Sequence, residues 1–498
     1  MKGIDIVNSS ISDLTEAIYK KKVSCVALYE AVCDRIASHE NTINAYITVV
    51  LDEALRRAQA LDKHIAKSSD ISLSRSSNPL LGIPFSVKDV FATKGIKTTV
   101  ASKMLKNYVP PFNATVYDRL VNAGGVTMGK TNMDEFAHGF TTEYSACNTT
   151  KNPWDIRMVP GGSSGGSAAS VAARMALLSL ASENFGSIAQ PSALCGVFGM
   201  KPTYGISSRY GLIAMASSLE CPGIIGRCVE DVAVGISVIS GRDVKDATSI
   251  ESNTRVILNT GVPDISSMQI GVVEEIVARV DTSVQDAIQD MLHTYSSLGA
   301  TIIKLSWYDL ETDGQIYDVL YRAEVASNLA RYDGIRYGNR AESDQSLDDY
   351  YVSSREAFGP HVKRQILTDP VTLCGEKGDV YTSALRLRRI HREYIDKIFT
   401  SVDAVCMPAT TFLSLELGKT ADKRWRNEHR ELGTTTSAMM CPTVLYGYPS
   451  ITLPIAVVNK RYPVGGMLFA QRFREQTVLS LAYAFQEATG LKFLDPTV

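Results

Sequence analysis

The 498-residue chain lacks any long apolar run. Its most hydrophobic segment, Ala168–Ala181, is interrupted by Arg174 and rich in Ala and Ser, so no membrane span is expected. It also lacks an excess of either charge, with 51 Lys+Arg against 53 Asp+Glu. That balance offers no basic face for salt-driven binding to a phosphate backbone, and any nucleic acid is expected to be held by a partner. The nine cysteines (Cys25, Cys33, Cys147, Cys195, Cys221, Cys228, Cys374, Cys406, Cys441) include no CxxC pair and are odd in number. They read as buried thiols of a reducing compartment, cytoplasmic or organellar. The seven histidines show no ligand spacing and no GxxxxGK[ST] loop occurs, so neither a metal nor a nucleotide phosphate is expected on this chain. Residues Met1–Asp5 do not begin a basic n-region with an apolar follow-on, so no secretory signal is expected.

What is present is an ordinary globular composition, 45% hydrophobic and 21% charged, with neither repeats nor low-complexity tracts. Leu14, Ile18, Leu28, Val32 and Ile36 recur at helical spacing behind the polar run Asn8–Ser12, and Leu51–Ile65 forms a further helical pattern. Lys67–Asn78 reads as a Ser-rich surface loop. Short strands are predicted at Leu80–Asp89, Gly124–Lys130, Gln269–Val273 and Ala300–Ile303, with a helix over Val284–Tyr295. Alternation of strand and helix makes the class α/β. Residues 1–70 are expected to form a helical segment packed on a domain of residues 71–498, whose chemistry concentrates in residues 80–250. Residues 269–424 read as an insertion-rich half.

Glycine and serine cluster in Gly161-Gly162-Ser163-Ser164-Gly165-Gly166-Ser167, followed by a helical run over Ala168–Leu180 and a second serine loop, Ser182–Pro191. Glycines beside serines permit close backbone approach, which presentation of a hydroxyl and of convergent N–H donors requires. A flexible linker is the alternative, but linkers are not bracketed by apolar helix and strand segments. A serine nucleophile needs a base, and no histidine is nominated by its neighbours. Lys88, ending the apolar run Ile83–Val87, serves if burial lowers its pKa; otherwise it is a strand-end lysine facing solvent.

These residues resemble the amidase signature family. The likeness is carried by Gly82-Ile83-Pro84 leading to Lys88-Asp89, the Gly161–Ser167 run, Gly186-Ser187-Ile188 with Gln190-Pro191, and Gly199–Gly205. Gly129–Phe136, Ser207–Leu212, Ala216–Glu220 and Asn328–Gly338 are similar to the glutaminase (A) subunits of tRNA-dependent amidotransferases within that family. The resemblance implies one large domain with a mixed central sheet covered by helices on both faces. It further implies a Ser–Ser–Lys triad: Ser187 as nucleophile, Ser163 after a cis peptide as bridge, Lys88 as base, and the N–H groups of Asn184, Phe185 and Gly186 as oxyanion hole. Glutamine would be hydrolysed and its ammonia passed to Glu-tRNA(Gln), giving Gln-tRNA(Gln). Partner subunits B and C would complete a heterotrimer, with ATP, Mg and most tRNA contacts on the partner and no cofactor on this chain.

The sequence departs from the family pattern at several positions. Glu183-Asn184-Phe185-Gly186-Ser187 stands for the usual Asp-Thr-Gly-Gly-Ser, and a Phe185 forced to positive φ would be strained. Ala189 replaces a usual arginine. Ser437 falls where an aspartate would meet the substrate ammonium, and the carboxylate-binding arginine is either Arg364 or replaced by Gln365. These changes leave two other readings open: a catalytically silent scaffold of the same complex, and a stand-alone amidase for another small amide.

Overall fold

The computed structural model describes all residues except 1–7, 68–77, 252–261, 308, 310, 343–345, 374–377, 422–429 and 497–498. The Lys67–Asn78 loop therefore lies almost wholly outside the described residues, as does Cys374. One mixed sheet of 11 strands runs through the molecule. In chain order its strands are β1 (Tyr46–Val49), β2 (Pro84–Lys88), β3 (Val126–Thr131), β4 (Leu178–Glu183), β5 (Phe198–Lys201), β6 (Cys221–Gly226), β7 (Gln269–Val272), β8 (Thr301–Lys304), β9 (Ala404–Pro408), β10 (Ser450–Val458) and β11 (Tyr462–Ala470). Their spatial order is β1-β3-β2-β4-β6-β5-β10-β11-β9-β7-β8. β3, β2 and β4 run parallel, as do β9, β7 and β8 at the other end, and antiparallel pairs join the two groups.

The N-terminal segment holds helices α1 (Ile11–Tyr19), α2 (Cys25–Ile43) and α3 (Leu51–Lys67). Ser10 caps α1 in a reciprocal capping box with Asp13, and Ser24 caps α2. The apolar faces of these helices, Ile11, Leu14, Leu28, Val32 and Leu61 among them, belong to the same buried cluster as the sheet. The segment is not purely helical, because β1 follows α2 and pairs antiparallel with β3 as the sheet's edge. Beyond α4 (Thr115–Asn122), α5 (Gly165–Ala172) and α6 (Ala189–Cys195) carry the two serine loops.

The helical run expected over Ala168–Leu180 is corrected. α5 ends at Ala172, Arg174 takes φ +60°, and Leu178 already begins β4. All six residues of β4 are buried, so its apolar run shows no alternation and cannot be told from a buried helix by pattern. Among the cysteines, Cys147 is exposed and Cys33 half-buried, against the expectation of buried thiols. No helix among the described residues is long and apolar enough to cross a membrane.

Close packing fixes where α5 starts. A Cβ on Gly166 would stand 2.5 Å from the carbonyl oxygens of Ala45 and Asn132, both backbone atoms that cannot yield. We predict that Gly166→Ala costs about 2–4 kcal/mol of stability, read from denaturant midpoints. Gly433, in helix Arg430–Leu445, is the control, because a Cβ added there would meet nothing within 4 Å. At that position Ala is expected to gain about 0.5–1 kcal/mol through helix propensity.

Candidate active site

β2 and β4 are parallel neighbours, so their C-terminal ends open on the same edge of the sheet. Lys88 is the last residue of β2 and Glu183 the last of β4. The loop that starts α5 and the loop that follows β4 converge over these ends, where ligands of α/β sheets commonly bind. Lys88 Nζ lies 2.8 Å from Ser163 Oγ and 3.3 Å from the Ser182 carbonyl oxygen. Ser163 Oγ lies 3.0 Å from Ser187 Oγ. The structure thus strings Lys88, Ser163 and Ser187 on one hydrogen-bonded line, and the Gly162–Ser163 peptide is cis.

All three residues are buried. Burial lowers the Lys88 pKa from 10.5 to about 7, against the opposing pull of Asp134, Glu220 and Glu183. An amine so placed is available as a base near neutrality, which settles the choice between a buried and a solvent-facing lysine.

Two carboxylates organise the loops. Asp134 accepts the N–H groups of Thr142 (3.0 Å) and Tyr144 (3.1 Å). Burial raises its pKa to about 6, against those hydrogen bonds and the charge of Lys88. A Cβ on Gly162 would meet Asp134 Oδ2 at 2.4 Å and the Thr141 nitrogen at 2.7 Å, so only glycine lets the Ser163 loop approach. Glu183 Oε2 accepts from the N–H groups of Ile188 (2.5 Å) and Ala189 (3.0 Å), bracing the Ser187 loop where Ala189 carries no charge. The roles of Asp134 and Glu183 were missed from sequence; Asp134 lay in the Gly129–Phe136 phrase, read only as family likeness, and Glu183 in the Glu183–Ser187 run, read only as a departure from it.

In the Ser187 loop the positive φ falls on Gly186 (+75°), and Phe185 is absent from the residues at positive φ. The strain anticipated for Phe185 does not arise. Its ring packs on Tyr317 with centroids 4.5 Å apart, and the Tyr317 hydroxyl donates to Asn184 Oδ1 at 2.6 Å. The N–H groups of Asn184, Phe185, Gly186 and Ser187 donate to no acceptor among the described residues, as an oxyanion pocket requires. Ser437 packs against Gly314 of helix Thr312–Ala330. Arg364 is exposed, its Nη2 3.4 Å from His361 Nδ1, and lines a cavity of about 760 Å³ whose walls include Tyr144 and Lys363 but neither serine loop. Of the pair, Gln365 is the one that reaches a loop of the site, at His138. Among the described residues no cluster of His, Cys, Asp and Glu could hold a metal ion.

A match to the amidase family (Amidase) covers residues 27–479. The chain belongs to the amidase family. It is 39% identical over 488 residues to the A subunit of a glutamyl-tRNA(Gln) amidotransferase from Thermoanaerobacter pseudethanolicus, covering 97% of both chains. The protein of the same name from Carboxydothermus hydrogenoformans is 41% identical over 485 residues, covering 96% of this chain and 97% of that one. Among solved structures, the corresponding glutamyl-tRNA(Gln) amidotransferase chain of Thermotoga maritima superposes with a TM-score of 0.76 at 29% identity, covering 98% of this chain and 96% of that one.

The Lys88–Ser163–Ser187 line has a pH signature. Lys88 is neutral in the folded chain above about 7 but keeps its proton to 10.5 when unfolded, so the unfolded chain binds more protons between these values. Stability from this group therefore rises with pH from about 7 upward. We predict that the rate of Ser187 acylation also rises with pH and levels off above about 7, and that Lys88→Met removes this dependence along with at least about a 10²-fold rate advantage, measured by single-turnover ammonia release.

Proposed function

We propose that this chain is the glutamine-hydrolysing subunit of a glutamyl-tRNA(Gln) amidotransferase, with Ser187, Ser163 and Lys88 as its catalytic residues. The observation that carries the reading is the Lys88–Ser163–Ser187 line, with contacts of 2.8 and 3.0 Å around an amine whose pKa is about 7. A silent scaffold would have no need to bury a lysine against a serine pair, since taking an amine out of water costs stability.

Neutral Lys88 accepts a proton from Ser163 as Ser163 takes one from Ser187; hydroxyl rotors allow this relay to run in either direction. Ser187 Oγ bonds to the side-chain amide carbon of glutamine, and the developing oxyanion is held by the free N–H groups of the loop Asn184, Phe185, Gly186 and Ser187. The Asn184 side chain, anchored by Tyr317, fixes the start of this loop. As the tetrahedral adduct collapses, the proton on Lys88 returns through Ser163 to the departing nitrogen, the C–N bond breaks and ammonia leaves. Water then attacks the Ser187 ester with the same relay as base, releasing glutamate and restoring the hydroxyl. No step requires a metal or organic cofactor on this chain. Activation of Glu-tRNA(Gln) with ATP and Mg belongs to a partner in an assembly with subunits B and C, in keeping with the balanced charge of this chain.

The test is amide transfer to Glu-tRNA(Gln) by the assembled complex. Ser187→Ala is expected to abolish glutamine-driven Gln-tRNA(Gln) formation and to leave ammonium-driven formation within about twofold of wild type. Equal rates with glutamine in mutant and wild type would refute the assignment.

A further inference from the structure

Behind the nucleophile the sheet carries another buried lysine. Lys201 is the last residue of β5 and is 2% exposed, and its Nζ donates to the carbonyl oxygens of Pro202 (3.1 Å) and Tyr448 (2.5 Å). In the antiparallel pair of β4 and β6, Glu183 stands opposite Cys221 and Ala181 opposite Gly223. β5 continues from the Met200–Ile224 pair, which sets Lys201 opposite Gly223. Opposed residues share a face of the sheet, and so do residues two apart on one strand. Lys201 and Glu183 therefore lie on one face, two strands apart, and the β6 residue between them is a glycine.

A Cβ on Gly223 would meet the Met200 oxygen at 2.3 Å and Ile188 Cδ1 at 2.6 Å. Ile188, the residue after the nucleophile, thus packs over Gly223, and the space above the glycine is filled by an apolar side chain, where charges act on one another strongly. Glu183 Oε2 is occupied by the N–H groups of Ile188 and Ala189, while its buried Oε1 has no hydrogen-bond partner. Burial raises the Glu183 pKa, and Lys201 opposes that rise more strongly than Lys88 does. Lys88 gives up its charge near neutrality, so the lasting countercharge is Lys201. Two further groups act on the Lys201 ammonium. One is the Cys221 thiol, which burial keeps protonated; the other is Glu475, first residue of helix Glu475–Thr489, whose Oε1 accepts the Thr203 N–H at 2.9 Å.

We propose that Lys201 is a positioning residue for the nucleophile: its ammonium, held by two carbonyls, supplies from across Gly223 the countercharge that lets the buried Glu183 carboxylate grip the chain just beyond Ser187. This role rests on the reading of Ser187 as nucleophile and adds a residue to it. The grip reaches the nucleophile because the same turn is tied on both sides: the Gly186 carbonyl accepts from the Gln190 N–H at 2.8 Å, and the Ser187 carbonyl from the Ser164 N–H at 3.3 Å. A buried carboxylate deprived of its cation takes up a proton, and as a neutral acid it holds N–H groups less tightly. The slack falls on Ser187 Oγ, 3.0 Å from Ser163 Oγ, and is felt in kcat because small displacements of reacting atoms are costly.

The experiment is a double-mutant cycle of Lys201→Met and Glu183→Gln in the complete complex. It is read as Ser187-dependent ammonia release from glutamine and as the rate at which a fluorophosphonate labels Ser187, whose Oγ displaces fluoride from phosphorus. With Glu183 in place, Lys201→Met is expected to lower kcat and the labelling rate at least about tenfold each, and to change KM less than about threefold. In the Glu183→Gln background, whose amide oxygen still accepts but carries no charge, the same substitution should cost less than about threefold in each. A lysine needed only for its carbonyl contacts would cost the same factor in both backgrounds; that result, or full activity in Lys201→Met, would overturn the proposal. If Lys201→Met does not assemble, the double variant decides: assembly and labelling at the rate of Glu183→Gln alone support the proposal, and failure of the double variant overturns it. Labelling that follows the cycle without hydrolysis of glutamine leaves Lys201 in its role and removes glutamine as substrate. Glutamine hydrolysis with equal factors in both backgrounds removes Lys201 alone.

Discussion

Burial of the Lys88 amine at the end of β2 is the constraint around which the site is built. A lysine there loses its hydration and gives up its proton near neutrality, and it finds instead the Ser163 hydroxyl and the Ser182 carbonyl. Those partners exist only because β2 and β4 run parallel in register, Phe85 opposite Leu178 and Val87 opposite Leu180. The parallel pairing brings the residue after one strand and the loop after the next to a common edge. The remote ends of the sheet serve this geometry indirectly, by fixing the central strands from both sides.

Around the amine, charge is used to shape backbone. Asp134 gathers the 142–144 turn beside Gly162, and Glu183 gathers the first N–H groups of α6 behind Ser187. Both carboxylates are buried, and burial raises the pKa of each. Lys201 contributes opposite charge near Glu183 while donating to the Tyr448 and Pro202 carbonyls. Lys130 is matched in the same way by Asp89 and by the hydroxyls of Thr93 and Thr98. Such groups hold the loops in a single arrangement only while their partners are complete, since an orphaned buried charge is worth several kcal/mol of destabilisation, on the order of 3–5.

Much of this was legible in the sequence, for reasons that differ by element. The strands around Phe85 and Val126, and the helix around Val284, announce themselves because short apolar runs end at glycine or at strong polar residues. The serine loops are legible as glycines spaced around hydroxyls, since no other residue fits where a Cβ would strike Asp134 or Pro191. The end of α5 was not legible. Arg174 sits in an apolar stretch, and its departure to positive φ is secured from afar by Asn8, Asp495 and the Phe493 carbonyl. The consequence of Phe185 was also hidden, because the ring that receives it, Tyr317, lies on a helix 132 residues downstream. The choice between Arg364 and Gln365 turned on helix rotation, which places one toward the surface cavity and the other toward His138.

The most direct test of the account is capture of the covalent intermediate. The assembled protein is mixed with glutamine, quenched in acid within one turnover, digested and analysed by mass spectrometry. The account predicts a glutamyl ester on the peptide bearing Ser187, absent when Lys88 is replaced by methionine. Turnover of glutamine with no ester on Ser187, or with the adduct on another residue, would contradict it.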